Sequence, residues 1–295
     1  MRRSAADFML LATVSLWALN FTVSKYILDE GFHPLAYASV RYSCAAVIFA
    51  TITLLWEGSL RIGRRELPLI VGCTICLFVN QLSFVYALKF TTATTVALLF
   101  GTLPIFTALF ARATGVEHLS RRFWLAAGVS FAGVVLVAVG SGGSLSADLK
   151  GDALAILGAA TWAAYSVAIA PLMRRYSPFR LSAVFLCIVS VPLLLLASPQ
   201  LGDQSFDIGA LAWIGFAFAV LGPLVLTNLL WFTAIDQVGP ARASLFANLQ
   251  PFLAAIAALL LLDERLTAVQ VIGGLAIAAG IVLARERRPP LGPAE

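Results

Sequence analysis

Read for apolar and polar positions, the chain is a series of long apolar runs separated by short polar breaks. Ten runs approach or exceed the ~20 residues that a membrane-crossing helix needs. They cover roughly 8–28, 34–56, 67–88, 91–113, 121–140, 152–173, 178–197, 208–235, 239–262 and 266–284. The runs are continuous rather than alternating, which excludes a transmembrane β-barrel. Breaks near Lys89 and at Gly239-Pro240 are tight, so spans three and four, and spans eight and nine, are expected to form antiparallel hairpins. The pattern predicts an all-α integral membrane protein with ten transmembrane helices.

Part of the pattern is written twice. Leu98 to Ala138 superimposes on Leu245 to Arg285 at an offset of 147 positions without a gap. Pro104 meets Pro251, Glu117 meets Glu264, Leu119 meets Leu266, Gly133 meets Gly280 and Leu136 meets Leu283. A fainter match at an offset of 145 pairs Asp7 with Asp152 and Trp17 with Trp162. A repeat at about half the chain length is a duplicated half rather than a solenoid unit. The expected division is 1–140, a linker 141–151, 152–285, and a polar, proline-rich tail 286–295 with no reason to fold. Five spans per half is an odd number, so the second copy enters the membrane from the opposite side. Inverted repeats about a midplane site are the architecture of many secondary transporters.

Composition narrows the class. The chain of 295 residues is 60% hydrophobic and 12% charged, against about 25% charged in soluble domains. The net charge of +5 is no nucleic-acid signal, because the basic residues sit in short loops. With the N-terminus inside, the inner segments hold fifteen arginines, including Arg61, Arg64, Arg65, Arg121, Arg122, Arg174 and Arg175, and the outer ones only Lys89, Lys150 and Arg265. That bias predicts cytoplasmic termini. Arg2 and Arg3 precede a run too long for a signal-peptide core, so the first run is read as a span. Cys73 and Cys76 form a CxxC, but inside a span and without a neighbouring His or second CxxC; helix packing is the reading, not redox or zinc chemistry. Gly140, Gly142 and Gly143 lack phosphate-loop spacing and read as linker. No cofactor and no metal are expected.

These pieces in order resemble an EamA-type transporter of the drug/metabolite transporter superfamily. The resemblance rests on LWALNFTVSK (Leu16 to Lys25), HPLAYASVRYSCAA (His33 to Ala46), Asn80 to Ala111, TWAAYSV (Thr161 to Val167) and the copy ending at Ala284. It implies ten spans in two inverted five-helix repeats, spans one to four and six to nine around a central cavity, and spans five and ten outside. It further implies a multi-pass protein of the cell inner membrane that moves small metabolites, often outward. One departure is His118, where the second copy has Arg265 after its glutamate.

Polar side chains in a bilayer are costly and mostly face the bundle interior. Thr13, Trp17, Asn20 and Ser24 share one face of span one, as do Cys73, Cys76, Asn80 and Ser83 on span three, and Ser244, Asn248 and Pro251 on span nine. Candidate substrate-binding residues are Trp17, Asn20, Ser24, Tyr37, Arg41, Asn80, Gln81, Trp162, Tyr165, Asn228, Trp231 and Asn248; Gln250 is a further mid-span amide. Any one of these is either helix glue or cavity wall. Aromatic walls with a few amides suit a neutral or amphipathic organic solute. Lys25 lies near a span end, where it can snorkel. Arg41 lies deeper, and either binds a substrate anion, with or without Lys25, or bonds backbone carbonyls. Pro104 and Pro251 remove equivalent backbone bonds, giving either gates or static kinks. No carboxylate sits at mid-depth, so facilitated export stands beside proton exchange.

The expected function is transport of small organic metabolites, foremost export of amino acids or similar amphipathic solutes by alternating access; the alternative is a proton-coupled drug or nucleobase exporter. A membrane-embedded enzyme would need a nucleophile–base pair or metal cluster, which two loop histidines do not supply. A sensor would need an added soluble domain, and a channel would show non-saturating flux. Expected partners are the substrate and the lipid bilayer, with no nucleic acid; no oligomeric state is set, and a monomer is compatible.

Overall fold

A computed structural model describes residues 2–117, 119–140, 148–253, 256 and 267–284. Outside them lie His118, the linker glycines 142 and 143, the second acidic turn Asp263-Glu264-Arg265 and the tail from 285. Every regular element among the described residues is helical. The helices are α1 (Arg2–Asp29), α2 (Pro34–Glu57), α3 (Leu67–Phe90), α4 (Ala93–Leu99), α5 (Leu103–Ala113), α6 (Arg121–Gly140), α7 (Leu149–Ile169), α8 (Pro178–Gly202), α9 (Gly209–Val220), α10 (Thr227–Val238), α11 (Pro240–Leu245) and α12 (Ala268–Leu283). Among the described residues, eight helical stretches are long and apolar enough to cross a membrane, and α12 is a shorter apolar helix. Large apolar side chains face outward on them, among them Leu55, Trp56 and Leu195 at 77%, 72% and 71% exposure. Water would not tolerate so apolar a surface, and lipid requires it; the chain is a multi-pass membrane protein.

Local chemistry sets the ends. Lys89 falls in the last turn of α3, and the hairpin turns instead at Thr91 and Thr92, where the Thr92 hydroxyl caps α4 by accepting from Thr95 N–H at 3.1 Å. Ser177 caps α8 in the same way at Arg180 N–H. Thr267 and Gln270 form a reciprocal capping box at the start of α12.

Among the described residues, three expected spans change helix type in mid-course. In span four a 3-10 turn, Phe100–Thr102, separates α4 from α5, and Pro104 sits in the first turn of α5. Span nine repeats this: α11 ends at Leu245, a 3-10 turn covers Phe246–Leu249, and helix resumes at 250 with Pro251. A proline lacks an N–H and its ring clashes with the preceding turn, so the backbone tightens just before it. The break therefore precedes each proline rather than centring on it. Span eight widens to a π-helical stretch, Leu221–Leu226, between α9 and α10, around Gly222-Pro223.

Helices pack in four long pairs: α1 with α10, α2 with α8, α3 with α7, and α6 with α12. The α2–α8 pair is tied at one end by Arg180 to Glu57 at 3.0 Å and at the other by Leu35 N–H to Gln200 Oε1 at 2.8 Å, so these helices are antiparallel. In α6–α12, a Cβ on Gly133 would lie 2.6 Å from Gly273 O, and one on Gly280 would lie 2.7 Å from Ala126 O. The small residues are what permit this backbone contact. They pack within the chain, and each contact maps onto the other at the 147-residue offset.

Candidate functional site

Where α1, α2, α3 and α7 meet the broken spans, a cavity of about 80 Å³ remains. That is several times the ~10–15 Å³ one water needs, and below the ~300–1,000 Å³ of pockets that enclose drug-sized ligands. It suits a small solute, or a larger one after the helices part.

Trp17 and Trp162, equivalent in the repeat, meet edge-on at the cavity wall with ring centroids 5.3 Å apart. Trp231 lies against both, at 4.9 and 6.5 Å. Trp17 Nε1–H donates to Pro223 O at 3.2 Å and Thr227 Oγ1 at 3.1 Å. The π-helical stretch thus turns its proline carbonyl toward α1. Asn80 Nδ2 donates to Gly158 O on α7 at 2.9 Å, a carbonyl that also accepts from Thr161 Oγ1 at 3.1 Å.

The charged wall is Arg41, 4% exposed. Its Nη2 donates to Gln81 Oε1 at 2.9 Å and its Nη1 to Tyr37 OH at 3.4 Å. The guanidinium carbon lies 5.1, 5.6 and 5.7 Å from the ring centres of Tyr37, Tyr42 and Phe84. Its contacts are therefore neutral oxygens and aromatic faces. Arg41 Nε, Gln81 Nε2, Trp162 Nε1 and Gln250 Oε1 are buried with no hydrogen-bond partner among the described residues, and all four residues line the cavity.

Seven of the twelve candidates border the cavity: Trp17, Asn20, Arg41, Asn80, Gln81, Trp162 and Asn228. The other five lie behind it. Ser24 bonds Asn20 Oδ1 and Tyr37 OH at 3.2 and 2.8 Å, which puts Ser24 and Tyr37 in a layer supporting Asn20 and Arg41. Tyr165 packs on Trp162 at 5.4 Å, and Trp231 donates to Ser166 Oγ at 3.3 Å. Asn248, in the span-nine 3-10 turn, donates to Ser130 Oγ on α6 at 2.9 Å. Lys25 donates to Leu88 O (3.0 Å) and pairs with Asp29 (3.1 Å), and it is not among the residues that line the cavity. The wall also includes Phe21, Phe84, Phe100, Leu103 and Pro223, which reading by polarity passed over. Only the Gly222-Pro223 dipeptide carried a signal, as a break in an apolar run.

A helical membrane bundle with a polar-aromatic cavity fed from both halves of the chain is the form of a solute carrier. The chain belongs to the EamA-like transporter family, whose sequence profile matches twice, at residues 4–139 and 149–285. It is similar to an uncharacterized transporter, YyaM, of Bacillus subtilis strain 168, with 26% identity covering 94% of this chain and 92% of that one. A second relative, an uncharacterized transporter of Archaeoglobus fulgidus, is 29% identical and covers 95% and 97%. YedA, an uncharacterized inner membrane transporter of Escherichia coli K12, is 24% identical over 84% and 79%. One crystal structure shares the fold at a TM-score of 0.78 and 20% identity, over 96% of this chain and 97% of the other.

Proposed function

We propose that this membrane transporter carries small amphipathic organic solutes, those bearing a carboxylate foremost among them, outward across the cell inner membrane by alternating access through the central cavity. The observation that carries the proposal is the wall itself: Trp17, Arg41 and Gln81 from the first half face Trp162, Asn228 and Gln250 from the second. Movement of one half against the other would open the seat first to one side, then to the other. Two further features support this reading as ten spans in two inverted halves. The equivalent helices α2 and α8 are antiparallel, and the contacts of Gly133 and Gly280 exchange at the repeat offset. Pro104 and Pro251, each just beyond a 3-10 turn, are the hinges of the motion. Arg41 takes the solute's carboxylate, and both chain ends lie on the cytoplasmic side.

The test is counterflow in liposomes holding the purified chain, with labelled monocarboxylic acids, amino acids, purines and sugar phosphates, at equal pH and across a pH gradient. Saturable exchange of carboxylate-bearing solutes at equal pH is expected. Linear, non-saturating flux would mean a channel, and exchange confined to purines or sugar phosphates would remove the carboxylate assignment.

A further inference from the structure

We infer that the seat is built for organic monoanions, with one carboxylate and a flat apolar body, and that it disfavours zwitterions carrying an ammonium beside that carboxylate. The inference rests on the transporter reading and orders the solutes within it.

The balance of charges and hydrogen-bonding atoms around the cavity leads there. Among the described residues the wall holds one formal charge, Arg41, and no aspartate or glutamate. Three unpartnered buried atoms are donors, Arg41 Nε, Gln81 Nε2 and Trp162 Nε1; one, Gln250 Oε1, is an acceptor. Arg41, Gln81 and Gln250 are each at least nine-tenths buried. A buried donor without a partner, and a buried cation without an anion, are both expensive. A carboxylate at Arg41 and Gln81 relieves both at once, through charge-assisted bonds.

An α-ammonium is attached one carbon from its carboxylate. Seating the carboxylate on Arg41 brings the ammonium into the field of the same guanidinium, in a wall with no counter-anion. The rings of Tyr37, Tyr42 and Phe84 do not rescue it, because they already face the guanidinium. The rest of the wall, Trp17, Trp162, Phe21 and Phe100, offers flat apolar faces to the body of the solute. Gln250 Oε1 leaves room for one neutral donor, such as a hydroxyl or amide N–H.

Four probes differ only at one end: 3-phenylpropionate, phenylalanine, phenethylamine and 3-phenylpropanol. Their binding to the full-length purified protein is read at pH 7 by thermal stabilisation and by the fluorescence of the cavity tryptophans. We expect 3-phenylpropionate to bind about tenfold or more tighter than phenylalanine, with the amine and alcohol weaker still. In Arg41→Gln the preference of acid over alcohol should vanish, and in Arg41→Lys part of it should remain. Phenylalanine binding as tightly as 3-phenylpropionate, an unchanged preference in Arg41→Gln, or no binding by any of the four would overturn the inference. The two readings fail separately. Counterflow of other solutes with no acid binding sinks the monoanion seat and keeps the carrier. Selective acid binding with no exchange of any solute keeps the seat and sinks the carrier.

Discussion

At Arg41 a guanidinium with 4% exposure is held by two neutral oxygens and three rings. Removing one of those oxygens leaves a charged donor facing apolar surface. A hydrogen bond to a charged group is worth about 1.5–3 kcal/mol, so Gln81→Leu should lower stability by about that much. The check is the thermal unfolding midpoint in detergent, and an unchanged midpoint would mean that water already serves Arg41. Gly239 makes a second case. Its φ of +83° and ψ of 156° lie where essentially only glycine goes, and a Cβ there would stand 1.9 Å from Glu117 Oε1. Gly239→Ala should cost about 1–3 kcal/mol in backbone strain, with a displaced Glu117 in addition, again read as a lower midpoint. Arg41, Gln81 and Gly239 were legible in the sequence because a charge, an amide or a Gly-Pro pair stands out in an apolar run. Phe21, Phe84 and Leu103 were not. In a bilayer the lipid face and the cavity face of a span are both apolar, so polarity does not tell which way such a residue points.

At the scale of elements, the prolines were legible but the breaks they cause were displaced. Reading a proline as a kink places the bend at residues 104 and 251; the 3-10 turns lie at Phe100–Thr102 and Phe246–Leu249. The missing N–H is that of the proline, while the tightened carbonyls belong to the turn before it. Each proline sits within the first turn of a helical segment, where it is tolerated. Pro104→Ala and Pro251→Ala should therefore fold with nearly unchanged midpoints. They would let one α-helix run through the turn, so counterflow should fall by about tenfold if the turns flex during each cycle. Wild-type rates in both variants would make the turns static. The π-helical stretch was foreshadowed only by Gly222-Pro223, since π geometry has no hydrophobic period of its own.

At the scale of the whole molecule, the repeat in the sequence aligns Trp17 with Trp162, but it gives no sign that the two would touch, or that Asp7 would find Arg242. That last pair joins the start of α1 to α11 at 2.7 Å, with side chains 15% and 16% exposed. It links the two halves at the end of the bundle where the chain begins, and any opening there must part these groups. A charge-assisted bond of about 1.5–3 kcal/mol corresponds to roughly a ten- to hundredfold bias toward closure. Asp7→Asn keeps the shape and removes one charge. In a background carrying Gln250→Cys, this change should raise the rate of labelling by a water-soluble maleimide about tenfold when the reagent is applied from the side of the N-terminus. Applied from the other side, the rate should stay the same or fall, because a population moved toward one opening is withdrawn from the other. An equal rise from both sides would indicate general loosening rather than a gate. No rise from either would mean that the pair holds helices together without governing access.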